Sequence, residues 1–286
     1  MKIFKYFLQF LFIVFLFLIF KILGLKISSA LGGKLFEKVG PLFRSKELIH
    51  SNLKKAFPRI NLENLNKVTK LMWNNYGRVF AEYMFIKQFR EDVTNKNIII
   101  EGQQILEDIK TNNKSVVFIS GHLSNFELMA MHIEKSGIKL AAIYRPLNNI
   151  FLNKIMERIR KKYICKCQIK KGLGGMKKLI QLKKLNYSTA LMIDQRVSQG
   201  IKSEFFNQNA LTTTVPAQLI KKFKIPIVPL SIERFNDINF KIVIKKPIIF
   251  DNKESTKSIT DKLNLILEKM IIYKPEHWIW SHNRWK

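Results

Sequence analysis

From Ile3 to Leu25 the chain reads IFKYFLQFLFIVFLFLIFKILGL, a run too apolar for the surface of a soluble domain. As a helix rising 1.5 Å per residue, about 23 residues reach about 34 Å, against a hydrocarbon core of about 30 Å. Lys5 and Lys21 lie near its two ends, where long stems can carry the ammonium groups to lipid headgroups. Only Gln9 interrupts the apolar stretch from Tyr6 to Phe20. A cleaved signal peptide would share these traits, with Ser28-Ser29-Ala30 as the small-residue site. Basic residues also follow the segment, and two cysteines in 286 residues rule out a secreted disulfide scaffold. The favoured reading is a retained transmembrane or membrane-anchor helix over residues 1–25, with residues 26–286 forming a cytoplasmic body. Both flanks are basic, so the positive-inside rule gives no orientation.

The 50 basic residues against 21 acidic ones leave a net charge of +29, which invites an anionic membrane or nucleic acid as partner. Only 10 of the basic residues are arginine, the side chain that reads bases and phosphates bidentately. No helix-turn-helix cue, zinc-finger spacing or aromatic RNA-binding signature accompanies them. An anionic membrane is therefore expected as a partner and nucleic acid is not. The rival, a basic membrane-anchored scaffold for nucleic acid, would bind with a steep salt slope and no turnover. Cys165 and Cys167 stand too close for an easy bridge and read as buried thiols.

A 47% hydrophobic content with 25% charged residues excludes a disordered chain. From about Ser28 to Arg90 the pattern is helical, with Leu62 to Phe89 apolar at three- and four-residue spacing. After Asn97 short apolar runs appear at Ile98–Ile100, Val116–Ser120, Leu140–Tyr144, Thr189–Ile193, Ile227–Ile232 and Phe240–Ile244. Helical stretches separate the earlier runs: Gln103–Lys110, Asn125–Ser136, Asn148–Lys162 and Met176–Leu185. A last helix is expected over Ile259–Ile272. Strand and helix alternating in this way predict an α/β fold, with a mixed, largely parallel sheet flanked by helices. The anchor helix and a helical N-terminal region precede it.

In open α/β sheets ligands bind at the carboxyl ends of strands. Val116–Ser120 runs into Gly121-His122-Leu123-Ser124-Asn125-Phe126-Glu127, Leu140–Tyr144 into Arg145-Pro146, and Thr189–Ile193 into Asp194-Gln195. A base, a cation and a carboxylate thus emerge on one sheet edge. His122 and Glu127 would lie about 140° apart on an ideal helix, so they meet only if His122 precedes the helix on a turn. Gly121 suits such a turn because it tolerates dihedrals a side chain forbids. Glu127 could then fold back to orient the imidazole. Equally, Ser124 and Glu127 could form a capping box with no catalytic meaning.

Several segments, in order, carry a family resemblance: Asn52-Leu53 with Phe57-Pro58; Gly121-His122 with Glu127; Tyr144-Arg145-Pro146 with Asn148 and Asn149; Gly172-Leu173-Gly174; Asp194-Gln195 followed by Phe205-Phe206 and Thr212-Thr213-Thr214 through Pro216-Ala217; and the tryptophan-rich stretch from Pro275 to Lys286. Together they resemble the late acyltransferases of lipid A biosynthesis, of lauroyl and myristoyl type, within the lysophospholipid acyltransferase superfamily. The stretch Phe205-Phe206-Asn207-Gln208-Asn209-Ala210 departs from the family pattern in lacking glycine.

The resemblance implies transfer of a fatty acyl chain from acyl carrier protein to a hydroxyl of the lipid A precursor, at the inner membrane. It implies His122 as general base, oriented by Glu127, since an unactivated hydroxyl needs its proton removed as it attacks a thioester. Arg145 is expected at the carbonyl oxyanion or at a substrate phosphate. Asp194 is expected to position Arg145 or the substrate, and Asn125 and Gln195 to complete the substrate-binding set. Neither metal nor cofactor is expected. A transferase for a glycerophospholipid or another glycolipid would use the same His–acid pair. His282 and the terminal tryptophans could line the site or merely anchor the end, and membrane-interface packing is the favoured reading. The basic stretch from Lys154 to Lys184, with Glu157 its only acid, is either solvated helix faces or a docking surface for an acidic carrier.

Overall fold

The structure, a computed structural model, describes residues 2–92, 94 and 96–286, so Met1 of the expected anchor lies outside the described residues. The helical N-terminal region comprises α1 (Lys2–Phe43), α2 (Lys46–Ala56), α3 (Leu62–Glu82) and α4 (Ile86–Glu91). There follow β1 (Ile98–Glu101), α5 (Gln103–Thr111), β2 (Val117–Ser120), α6 (Glu127–Lys135), β3 (Leu140–Tyr144), α7 (Ile150–Ile159) and β4 (Cys167–Lys170). The chain continues through α8 (Leu173–Lys184), β5 (Ser188–Met192), β6 (Ile201–Phe205), β7 (Gln208–Thr212) and α9 (Val215–Phe223). It closes with β8 (Ile227–Asn236), β9 (Asn239–Ile244) and α10 (Thr256–Tyr273).

Seven strands form one sheet in the order β1-β9-β8-β2-β5-β3-β4, parallel at every pairing except the β8–β9 hairpin. The expected mixed, largely parallel α/β sheet is therefore present. All four residues of β2 are buried, as a central parallel strand requires. Two features escape the apolar-run reading. Strand β4 is a short, polar edge strand. The β6–β7 hairpin alternates polar and apolar residues and turns through Phe206 and Asn207, at φ 53° and 56°. Positive φ at both central residues is the hairpin geometry that sequences usually signal with Asn-Gly.

Helix α1 carries the anchor and kinks at Gly24, whose φ of 77° and ψ of 167° are non-helical. Ser28 Oγ donates to the Phe20 carbonyl across the kink at 2.6 Å. Beyond it the helix packs antiparallel on α3. A Cβ on Gly32 would lie 2.5 Å from the Gly77 carbonyl, one on Gly33 would meet Asn74, and one on Gly40 would strike the Trp73 ring. Ser28 and Ser29 are helical and fully buried against the rest of the protein.

The Gly32–Gly77 approach generates a test. A Cβ at Gly77 would stand 2.1 Å from the Gly32 carbonyl oxygen, so Gly77→Ala must push two helices apart. It should cost about 1–3 kcal/mol, read as a lowered Tm of the detergent-solubilised full chain. An unchanged Tm would show that the helices part freely.

Candidate active site

Strands β2 and β5 are parallel neighbours with Ser120 opposite Met192. Two residues further on, each chain leaves the sheet, and His122 and Asp194 therefore emerge side by side. His122 Nδ1 lies 2.8 Å from Asp194 Oδ1, and the His122 backbone N–H donates to Oδ2 at 2.9 Å. Trp278 Nε1–H adds a third donor to the same carboxylate at 2.9 Å. Gly121 makes this possible by its size. A Cβ there would lie 2.8 Å from Leu267 and 3.3 Å from Asp194 Cβ. Its φ is not in the left-handed region, so the dihedral reason expected from the sequence is not the operative one.

The carboxylate can only accept, so His122 donates from Nδ1 and presents the Nε2 lone pair. Burial alone would lower the imidazole pKa, but the Asp194 charge and hydrogen bond outweigh it and raise it above the ordinary 6.5. Asp194 behaves in the opposite sense. Burial favours its neutral form, yet the His122 charge, both His122 hydrogen bonds and Trp278 hold it down at about 2. Phe126 sits edge-on to the imidazole at 4.7 Å between ring centroids, limiting its freedom.

Glu127, expected to orient His122, is instead paired with Arg160, whose Nε lies 2.8 Å from Oε1 and whose Nη2 bonds the same oxygen. Arg160 opens the π-helical turn that follows α7. The acid that orients His122 in the structure is Asp194, which the sequence reading had assigned to Arg145 or the substrate. Glu127 still bears on the imidazole electrostatically, as a contributor to its raised pKa. The capping-box alternative is also absent. Helix α6 begins at Glu127 with no side-chain cap, and Ser124 sits at φ 43° with its buried Oγ unpartnered. The Ser124 N–H donates to the His277 carbonyl at 2.9 Å, and this bond shapes the turn.

Of the expected substrate-binding residues, Asn125 is buried and donates to Glu82 at 3.0 Å, a supporting position. Arg145 and Gln195 are exposed at the sheet edge. Lys171 donates its backbone N–H to the Tyr144 carbonyl at 2.9 Å. Burial and the neighbouring Arg145 charge both lower the Lys171 pKa, so two cations flank this strand end. Of the three terminal tryptophans two lie inside the protein, and Trp285 is half-buried. Trp278 and Trp280 are 1% and 0% exposed and stack edge to face at 4.6 Å, which overturns the interface reading. Arg284 is buried with them, over the Phe205 ring and bonded to Thr212 Oγ1 at 2.6 Å. Arg160 is the site residue that sequence reasoning missed, and no motif signals it. Trp278 belongs to the terminal tryptophans that the sequence left as able to line the site, and it does so through Asp194.

The model of the family described as bacterial lipid A biosynthesis acyltransferase matches residues 1–286. Lipid A biosynthesis acyltransferase 2 of Shigella flexneri is 23% identical over 65% of this chain and 60% of its own length. The lipid A biosynthesis lauroyltransferase of Escherichia coli is 22% identical over 85% of this chain and 79% of its own. The palmitoleoyltransferase of that organism is 22% identical over 90% and 84%. Among solved structures, the 1-acyl-sn-glycerophosphate acyltransferase of Thermotoga maritima is 12% identical, covering 90% of this chain and 100% of that one with a TM-score of 0.44.

The His122–Asp194 pair predicts a pH profile. Only a neutral imidazole accepts a proton, so kcat/KM should rise with pH through a midpoint above about 6.5. Asp194→Asn removes the charge that holds the proton and leaves the burial that opposes it. The midpoint should fall, and the rate should drop by about 10²–10⁴-fold. An unshifted midpoint would show that Asp194 does not control the base.

Proposed function

This chain belongs to the bacterial lipid A biosynthesis acyltransferase family, and on that premise we propose that it moves a fatty acyl chain from an acyl carrier protein thioester to a hydroxyl of a lipid A precursor. The observation that carries this reading is an imidazole held through Nδ1 by a buried carboxylate, at the carboxyl end of a parallel sheet. His122 Nε2 takes the hydroxyl proton as the oxygen attacks the thioester carbonyl. The tetrahedral oxyanion then collapses, the carbon–sulfur bond breaks, and the leaving thiolate takes the proton back from His122. Asp194 stabilises the transient imidazolium, as a buried carboxylate does in other His-based acyl transfers. Glu127 and its partner Arg160 set the field beside the ring. Exposed Arg145 beside Lys171 suits a phosphate of the lipid acceptor better than an oxyanion shielded from water. The anchor of residues 1–25 would hold the catalytic domain of residues 26–286 on the cytoplasmic side of the inner membrane, where a soluble carrier can reach it.

The carrier partner is supported by charge. Lys161, Lys162, Lys177 and Lys178 are exposed within the basic stretch, whereas Arg160 and Lys183 are turned inward. Such a face would steer an acidic carrier at low salt.

His122→Ala should reduce transfer by two or more orders of magnitude with Tm preserved. Mass spectrometry of lipid A from cells lacking the protein should show the loss of one secondary acyl chain, and an unchanged profile would defeat the assignment. Replacing Lys161, Lys162, Lys177 and Lys178 by Glu should raise KM for the acyl carrier substrate at low salt while kcat changes little. Unaltered KM in the folded variant would remove this face as the carrier's landing site.

A further inference from the structure

The N-terminal helix is apolar on two opposite faces, and only one of them has a partner in the structure. One stripe lies against the body. Asn149 Nδ2 donates to the Tyr6 carbonyl at 2.8 Å, and Phe151 meets Phe7 and Phe10 at centroid distances of 5.6 and 5.7 Å. Further along, Phe80 meets Phe17 at 5.0 Å and Phe20 at 6.4 Å. From Tyr6 to Phe20 these contacts follow about 21 Å of helix. The opposite face is bare. Phe4, Leu8, Leu11, Phe12, Phe15 and Leu18 are exposed, Phe12 by 62% and Phe15 by 61%. At about 100° per residue these six fall within about a third of the helix circumference. Lys5 and Gln9 fall outside that arc on one flank and Lys21 on the other.

A helix fastened to its own domain along this length cannot stand across a bilayer by itself. Were it to cross, Asn149 and Phe151 would be drawn into the membrane with Tyr6, Phe7 and Phe10, and exposed Lys154 lies within one turn of Phe151, where cations are strongly disfavoured. The protein accounts for one apolar face and leaves the other without a neighbour. We propose that residues 3–22 lie in the plane of one leaflet, with the Phe4–Leu18 face in the acyl chains and the flanking lysines at the headgroups. Interfacial helices bury such a face about 5–10 Å deep. Leu147 and Ile150, on either side of Asn149, are exposed beside the helix and extend the same apolar surface. The loop carrying Arg145 therefore sits at headgroup depth, where a lipid phosphate arrives without leaving the membrane.

This placement rests on the reading of the N-terminal segment as a membrane anchor. The test uses the full chain with Cys165 and Cys167 replaced by Ala, and with one new cysteine at Lys2→Cys or, as a reporter on the body, at exposed Lys253→Cys. A membrane-impermeant maleimide is applied to right-side-out and inverted membrane vesicles. Lys2→Cys is expected to react from the same side as Lys253→Cys, to the same extent. Reaction from the opposite side, or protection at Lys2 from both sides until detergent is added, overturns the in-plane placement. Reaction of both cysteines from the outer side keeps the placement and overturns only the cytoplasmic assignment. A chain that fails to float with the vesicles loses the anchor and the placement together.

Discussion

One buried carboxylate holds the N-terminal helices, the sheet and the His122 turn in register. Glu82 is fully buried at the end of α3 and receives both Arg234 Nη atoms, at 2.5 and 3.0 Å, from the end of β8. Ser29 Oγ donates to it at 2.7 Å from just beyond the kink in α1, and Asn125 Nδ2 at 3.0 Å from the turn that follows His122. A charge in this position is tolerable only with all its partners in place. Removing one side of such a pair typically costs about 3–5 kcal/mol, because the remaining charge is left uncompensated. The tightness of the α1–α3 glycine contact and the shape of the His122 turn are consequences of what must converge on this group.

His122 and Asp194 were legible in the sequence as residues leaving strand ends, and the largely parallel sheet was legible from the spacing of apolar runs. Their pairing was not. It depends on β5 inserting between β2 and β3, a strand order that no local pattern encodes. Short sequence separation favoured Glu127 as the partner of His122, but Arg160, 33 residues further along, occupies that carboxylate. Arg160 offers that carboxylate two donors, Nε and Nη2, and a histidine can pair with any carboxylate the fold brings within reach. The hairpin turn at Phe206 and Asn207 was hidden for a similar reason. Tertiary contacts sustain the backbone there, with the Phe206 N–H donating to Glu268 at 2.8 Å and the Phe206 ring packed near Trp280 at 6.3 Å.

Composition overstated what is available at the surface. Lys183 is buried with its ammonium on Ser115 Oγ at 2.6 Å, and burial pushes its pKa down to about 8. Arg284 lies among aromatic rings, and its pKa falls to about 10. These cations belong to the interior, so the field seen from outside is less uniform than +29 suggests. Exposed cations are spread along the chain, among them Arg145 and Lys171 at one strand end and Lys166, Lys170, Lys177 and Lys178 around β4 and α8.

The third donor to Asp194 comes from Trp278, and the carbonyl that holds the Ser124 turn comes from His277. Both residues follow every strand of the sheet in chain order. The apolar helix precedes the sheet in chain order, whereas the carboxylate beside His122 takes its last donor from a segment that follows every strand. The pairing at the carboxyl end of the sheet is therefore completed by chain that lies outside the sheet, so a displacement of that segment is felt at the imidazole.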